Sequence, residues 1–84
     1  MDVAVEISFY PLAEDYATRI KAFLERLRAA AGLKVITSSL STQLVGPYDE
    51  VFATLAREMR AVFGEVDKAV FVLKVFGPLA PVGA

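Results

Sequence analysis

Hydroxyl-bearing side chains gather on two strand-like segments and are the residues best suited to contact a ligand. The first segment presents Glu6, Ser8 and Tyr10 on one side of an alternating pattern. The second segment presents Thr37, Ser39, Ser41, Thr42 and Gln43. Hydroxyl and amide groups donate and accept hydrogen bonds, so this set suits a neutral ligand with a planar ring and does not suit a phosphate cage.

The composition excludes several kinds of functional site. The 84 residues include no cysteine, which excludes a disulfide, a thiolate metal site and a thiol nucleophile. They also include no histidine, the commonest general base and zinc ligand. Nine basic and ten acidic residues leave a net charge of −1, so no basic excess exists to neutralise nucleic-acid phosphates. We therefore expect a binding protein with no catalytic residues, metal, cofactor or nucleic-acid partner.

Hydrophobic periodicity divides the chain into six elements that position these residues. A period of two predicts strands at 3–10, 33–39, 42–45 and 68–76, and a helical period predicts helices at 14–31 and from about Pro47 to Gly64. The prolines in 77–84 predict an extended C-terminal arm. The order βαββαβ predicts an α+β, ferredoxin-like single domain over 1–84, with a four-stranded antiparallel sheet and both helices on one face.

The helix-free face of that sheet is predicted to be unusually apolar. Hydrophobic residues make up 56% of the chain and the mean hydropathy is +0.51. The last strand is apolar on both faces apart from Lys74. Large exposed apolar patches mark interfaces, so we expect a homodimer or homotetramer, although the C-terminal arm could instead shield the face. No apolar run is long enough to span a bilayer and no targeting segment is evident, which predicts a cytoplasmic protein without membrane insertion.

The first and third strands are neighbours in this fold, so their polar side chains are expected to converge. Ser8 and Thr42 are predicted to lie together on the helix-free face, within an apolar wall. Such a wall with a few convergent polar groups is typical of a small-molecule pocket.

Several motifs resemble the thiamin/hydroxymethylpyrimidine-binding (YkoF-like) family. They are Ile7-Ser8-Phe9-Tyr10-Pro11-Leu12, Asp15-Tyr16, Ile20, Leu40-Ser41-Thr42-Gln43-Leu44-Val45-Gly46 and Val51-Phe52. The resemblance implies a ferredoxin-like domain that binds thiamin through its pyrimidine part without catalysis. It implies ligand roles for Ser8 and Thr42 first, and places Tyr10 and Ser41 in the same motifs. Some members hold two such domains, so single-domain copies would rebuild that arrangement by self-association.

Each candidate residue also has a purely structural interpretation. Glu6 could accept a hydrogen bond from the ligand amine, or it could pair with Lys74 on the neighbouring strand. Tyr10 and Phe71 could stack on the ligand ring or simply pack. Ser8 could be a surface serine, Thr42 is a good strand former, and Gln43 could merely cap an edge of the sheet.

Two other functions remain open at this point. One is a small dimeric α+β-barrel-type enzyme working with hydroxyl groups. The other is a structural or regulatory oligomerisation module whose partner is protein.

Overall fold

The computed structural model describes residues 1–30, 32–39 and 41–80 and confirms the βαββαβ order. The elements are β1 (Asp2–Pro11), α1 (Tyr16–Arg28), β2 (Lys34–Thr37), β3 (Thr42–Pro47), α2 (Tyr48–Glu65) and β4 (Ala69–Phe76). The predicted helix end at Ala31, the hairpin residue Leu40 and residues 81–84 of the predicted arm lie outside the described residues.

The four strands form one antiparallel sheet in the order β2-β3-β1-β4. β1 is central and pairs with β3 from Asp2 opposite Pro47 as far as Ile7 opposite Thr42. On its other side β1 pairs with β4 over a longer span, as far as Pro11 opposite Ala69. β1 therefore continues past the point at which β3 begins.

The hydrophobic core lies between one face of the sheet and both helices. The alternation of β1 places Val3, Val5 and Ile7 on the covered face, where each is buried. The helices meet this face through their apolar stripes, with the buried residues Phe23 and Leu27 from α1 and Val51, Leu55 and Val62 from α2. Within the described residues, neither helix is both long and apolar enough to cross a bilayer.

Several predicted element ends were wrong. The first helix was expected over 14–31 and the second strand over 33–39, but α1 spans Tyr16–Arg28 and β2 spans Lys34–Thr37. Gly46 and Pro47 were expected to break the third strand, but both continue β3, opposite Val3 and Asp2. Gly46 is buried, and a Cβ atom there would lie 2.5 Å from Cδ2 of Leu33, so glycine lets the Leu33 side chain pack directly on the strand. Gly64 was expected to end the second helix, but α2 continues to Glu65.

The C-terminal arm is described as far as Ala80 and runs beside the start of β1. The amide of Leu79 donates to the carbonyl of Asp2 at 2.8 Å. This part of the arm leaves Phe76 72% exposed, so it does not shield the helix-free face at that position.

Candidate functional site

The strand register assigns the predicted site residues to two faces of the sheet. Thr42 lies opposite Ile7, and Gln43 lies opposite Glu6. Residues directly opposite in an antiparallel pair share a face, so Thr42 is on the helix-covered face and Gln43 is on the helix-free face. The expectation that Ser8 and Thr42 share the helix-free face was wrong, because a one-residue difference in register reverses the face.

Ser8 and Thr42 nevertheless border the same cleft. β1 continues through Ser8, Phe9 and Tyr10 with β4 as its strand partner, whereas β3 has no residues opposite them. The sheet narrows here, and a cleft of about 210 Å³ lies between the end of β1, the β2–β3 connection and α1. Because the cleft is at the margin of the sheet, side chains from both faces of β1 reach it.

One wall of the cleft is apolar and rigid. It is formed by Ile7, Phe9, Ile20, Phe23 and Leu24. The Phe9 and Phe23 rings have centroids 5.0 Å apart, and Phe9 stacks on Phe71 at 4.5 Å with an interplanar angle of 3°. Phe71 thus packs behind the cleft instead of lining it. Ring pairs at these separations hold one another in place, so the wall is preorganised.

The rest of the cleft border, called here the hydroxyl wall, consists of residues that carry hydroxyl groups: Ser8, Tyr10, Thr37, Ser38, Ser39, Ser41 and Thr42. The turn that carries most of them is braced by its own hydrogen bonds. The Ser38 amide donates to the Ser41 carbonyl at 2.9 Å, and the Ser41 amide donates to the Ser38 hydroxyl at 3.3 Å. These bonds fix the direction in which the chain enters β3 at Thr42.

Two of the hydroxyls are available to a ligand. Thr42 is only 7% exposed, and it borders the cleft. Within the described residues, neither Ser8 nor Thr42 makes a side-chain hydrogen bond to another residue. Within the described residues, no fully buried side-chain oxygen lacks a hydrogen-bond partner, so the Thr42 hydroxyl is accessible to solvent and to a ligand.

Glu6 and Gln43 lie apart from this cleft. Together with Lys74 they border a broad groove of about 360 Å³ on the helix-free face, next to Val75 and Phe76. Nζ of Lys74 lies 3.8 Å from Oε1 of Glu6, so the structural interpretation of Glu6 is confirmed. Five of the seven predicted residues, Ser8, Tyr10, Thr37, Ser41 and Thr42, therefore line the cleft, and two do not.

The contribution of α1 to the cleft was not predicted. Ile20, Phe23 and Leu24 follow the helical period of the apolar residues in α1, and all three also line the cleft. Their spacing gave a usable signal, because Ile20 and Leu24 are four residues apart and share one face of the helix. The helical spacing does not give the point at which β3 begins, and the cleft depends on that point.

A family model described as the YKOF-related family matches residues 2–75. The chain belongs to this family. The match extends from the start of β1 almost to the end of β4, so it includes every residue of the cleft. No curated protein sequence is significantly similar to the chain.

Solved structures with the same fold include relatives of this size. A Thermotoga maritima protein, provisionally named a thiamine biosynthesis/salvage protein, is 20% identical with a TM-score of 0.82, over 93% of this chain and 85% of that one. A hypothetical protein of Methanocaldococcus jannascii is 26% identical with a TM-score of 0.81, over 99% and 87%. A Streptococcus pneumoniae protein is 17% identical with a TM-score of 0.83, over 98% and 90%.

Proposed function

We propose that the chain is a non-catalytic protein that binds thiamin through its hydroxymethylpyrimidine part, or binds that pyrimidine itself. The observation that carries this proposal is the cleft, which is bordered by hydroxyl-bearing residues and by phenyl rings. An aminopyrimidine has a flat face that stacks on such rings and nitrogen atoms that exchange hydrogen bonds with hydroxyls. The thiamine-related name of the Thermotoga maritima protein supports the choice of this ligand class.

The size of the cleft supports binding of one ring. Pockets for drug-sized ligands usually measure about 300–1,000 Å³. A cleft of about 210 Å³ is smaller and matches a single substituted ring better than the whole of thiamin. The thiazolium ring of thiamin would then remain outside, towards solvent.

The lining supports binding without a chemical step. Along the described part of the cleft, the side chains are hydroxyl-bearing, aliphatic or aromatic, with no carboxylate, amine or guanidinium. General acid–base catalysis needs a group that titrates near the working pH. We propose that the protein stores, takes up or delivers this ligand in the cytoplasm.

Self-association is the second part of the proposal. The helix-free face exposes several large apolar side chains: Tyr10, Ile36, Val70, Val72 and Phe76. The four strands have 10, 4, 6 and 8 residues. At about 3.3 Å per residue and about 4.8 Å between strands, the face measures roughly 440 Å² in each copy. Two copies would cover roughly 900 Å², close to the area of about 1,000 Å² expected of a specific interface.

A second copy suits this face because the charges on it are self-complementary. Glu6 and Lys74 lie side by side within the apolar area, and Lys34 lies on the outer strand β2. Across a two-fold axis, Glu6 of one copy would meet Lys74 of the other, and the reverse pair would form as well. We therefore propose a homodimer, which could pair further into a homotetramer. The same exposed face is what favours a purely structural oligomerisation module as the second candidate function.

A thermal-shift titration distinguishes these two functions. A ligand that binds only the native state raises the melting temperature, by several degrees when its concentration is about 100 times Kd. Hydroxymethylpyrimidine and thiamin should do so, and an unrelated heterocycle of similar size should not. If none of these compounds raises the melting temperature, the structural module becomes the better assignment.

A further inference from the structure

The cleft is uncharged, but an arginine is anchored to its margin. Nη2 of Arg28 donates to Oγ1 of Thr37 at 3.1 Å, and Thr37 lines the cleft. Arg28 lies in the last turn of α1 and is exposed. The hydrogen bond places a guanidinium, with several further N–H donors, beside the hydroxyl wall.

The helical spacing of α1 independently places Arg28 beside the cleft. Ile20 and Leu24 line the cleft and are four residues apart, and Arg28 is the next residue in that series. Lys21 and Glu25 lie further round the helix and are exposed, with opposite charges that largely cancel. The net charge that α1 presents to the mouth of the cleft is therefore the positive charge of Arg28.

We infer that Arg28 makes this site select aminopyrimidines that carry a phosphate group. This inference rests on the proposed function and specifies its ligand class. The uncharged ring would occupy the cleft, and the phosphate would remain at the open mouth, where the guanidinium donates to its oxygens. Guanidinium groups bind phosphate through two parallel hydrogen bonds, and Thr37 restrains the side chain that supplies them. The hydroxyl wall therefore does not have to form a phosphate cage.

The test compares hydroxymethylpyrimidine with its monophosphate by calorimetric titration at low ionic strength. In the wild-type protein the phosphate should lower Kd about three- to tenfold, as expected for a charge-assisted contact at a partly exposed site. In Arg28→Gln the two compounds should bind with nearly equal Kd. Arg60→Gln removes the same charge from an exposed position on α2, and should leave the preference unchanged.

The salt dependence of the wild-type protein provides a readout that needs no variant. Higher ionic strength screens the guanidinium, so the preference for the phosphate should shrink, while binding of the uncharged pyrimidine stays nearly constant. Inorganic phosphate alone should bind far more weakly than the pyrimidine phosphate.

Different results would overturn the role of Arg28 and the proposed function. Equal binding of the two pyrimidines to the wild-type protein, or a preference that survives Arg28→Gln, would overturn the role of Arg28 and leave the proposed function in place. Inorganic phosphate that binds as tightly as the pyrimidine phosphate would also overturn it. No binding of either pyrimidine would overturn both.

Discussion

At the scale of residues, the site depends on hydroxyl groups that the protein itself does not use. Thr42 is only 7% exposed beside Ile7, and its hydroxyl, which has no protein partner within the described residues, keeps access to solvent. A buried strand position of this kind is usually occupied by a β-branched apolar residue. Threonine there retains the shape of valine and adds one polar atom next to the cleft, which is what a ligand contact requires.

Thr42→Val tests this contact because the two side chains have nearly the same shape. We expect Kd for hydroxymethylpyrimidine to rise about three- to tenfold, the effect of losing one neutral hydrogen bond. Protein stability should change little or increase. Calorimetric titration measures the first quantity and urea denaturation the second.

Thr54→Val is the matched control. Thr54 is also buried, at 5% exposure, but it lies on α2 and does not line the cleft. Its replacement should leave Kd unchanged. Equal effects of the two substitutions on Kd would mean that the Thr42 hydroxyl is not a ligand contact.

At the scale of elements, the two helices are joined by ion pairs of different burial. Nε of Arg26 on α1 donates to Oε2 of Glu58 on α2 at 2.8 Å, and the Glu58 side chain is 10% exposed. Nε of Arg57 lies 3.3 Å from the other oxygen of Glu58. Arg19 and Glu65 also bridge the helices, at 3.4 Å, but the Glu65 side chain is 49% exposed.

Glu58→Ala should therefore cost more stability than Glu65→Ala. Removing Glu58 leaves Arg26 without its partly buried partner, and we expect a loss of about 1–2 kcal/mol in the free energy of unfolding. Removing Glu65 breaks only an exposed pair and should cost about 0.5 kcal/mol or less. Urea denaturation of both variants measures the two losses in the free energy of unfolding. Equal losses would show that burial does not decide the strength of these ion pairs.

Two glycines give a second comparison between elements. Gly46→Ala would place a Cβ atom against Leu33, whose side chain must move, so we expect a destabilisation of about 1–2 kcal/mol. Gly64 lies within α2, and a Cβ atom there would meet no neighbouring part of the protein within 4 Å, so Gly64→Ala should stabilise the protein by roughly 0.5 kcal/mol. Thermal or urea unfolding measures both changes, and a loss of stability in Gly64→Ala would contradict this account of α2.

The order of the elements could be predicted from the sequence, but the register between the strands could not. Alternation in β1 and the helical stripes were enough for the order of six elements, because each period is strong over its whole length. The face of Thr42 was not accessible in this way. It depends on the register between β1 and β3, two strands that α1 and β2 separate along the chain. The cleft itself depends on where β3 begins relative to β1, and no local pattern encodes that difference.

At the scale of the whole molecule, the helix-free face predicts association between copies. Val72 lies on that face, on the edge strand β4 opposite Ser8, and is 47% exposed. Val72→Glu would place a second carboxylate close to Glu6 and remove an apolar contact. We expect this variant to be monomeric at concentrations where the wild-type protein is dimeric or tetrameric, as measured by analytical ultracentrifugation.

Ala56→Glu controls for the added charge, because Ala56 is exposed on α2, on the opposite side of the molecule from that face. This variant should associate as the wild-type protein does. A wild-type protein that sediments as a monomer at all accessible concentrations would contradict the proposed interface.

The central claim is that a pyrimidine occupies the cleft beside β1 and not the groove on the helix-free face. The most direct test is a two-dimensional amide NMR titration with hydroxymethylpyrimidine. We predict that chemical-shift changes concentrate at Ser8–Tyr10 and Thr37–Thr42. Changes confined to Glu6, Gln43 and Lys74, or no changes at saturating ligand, would contradict the account.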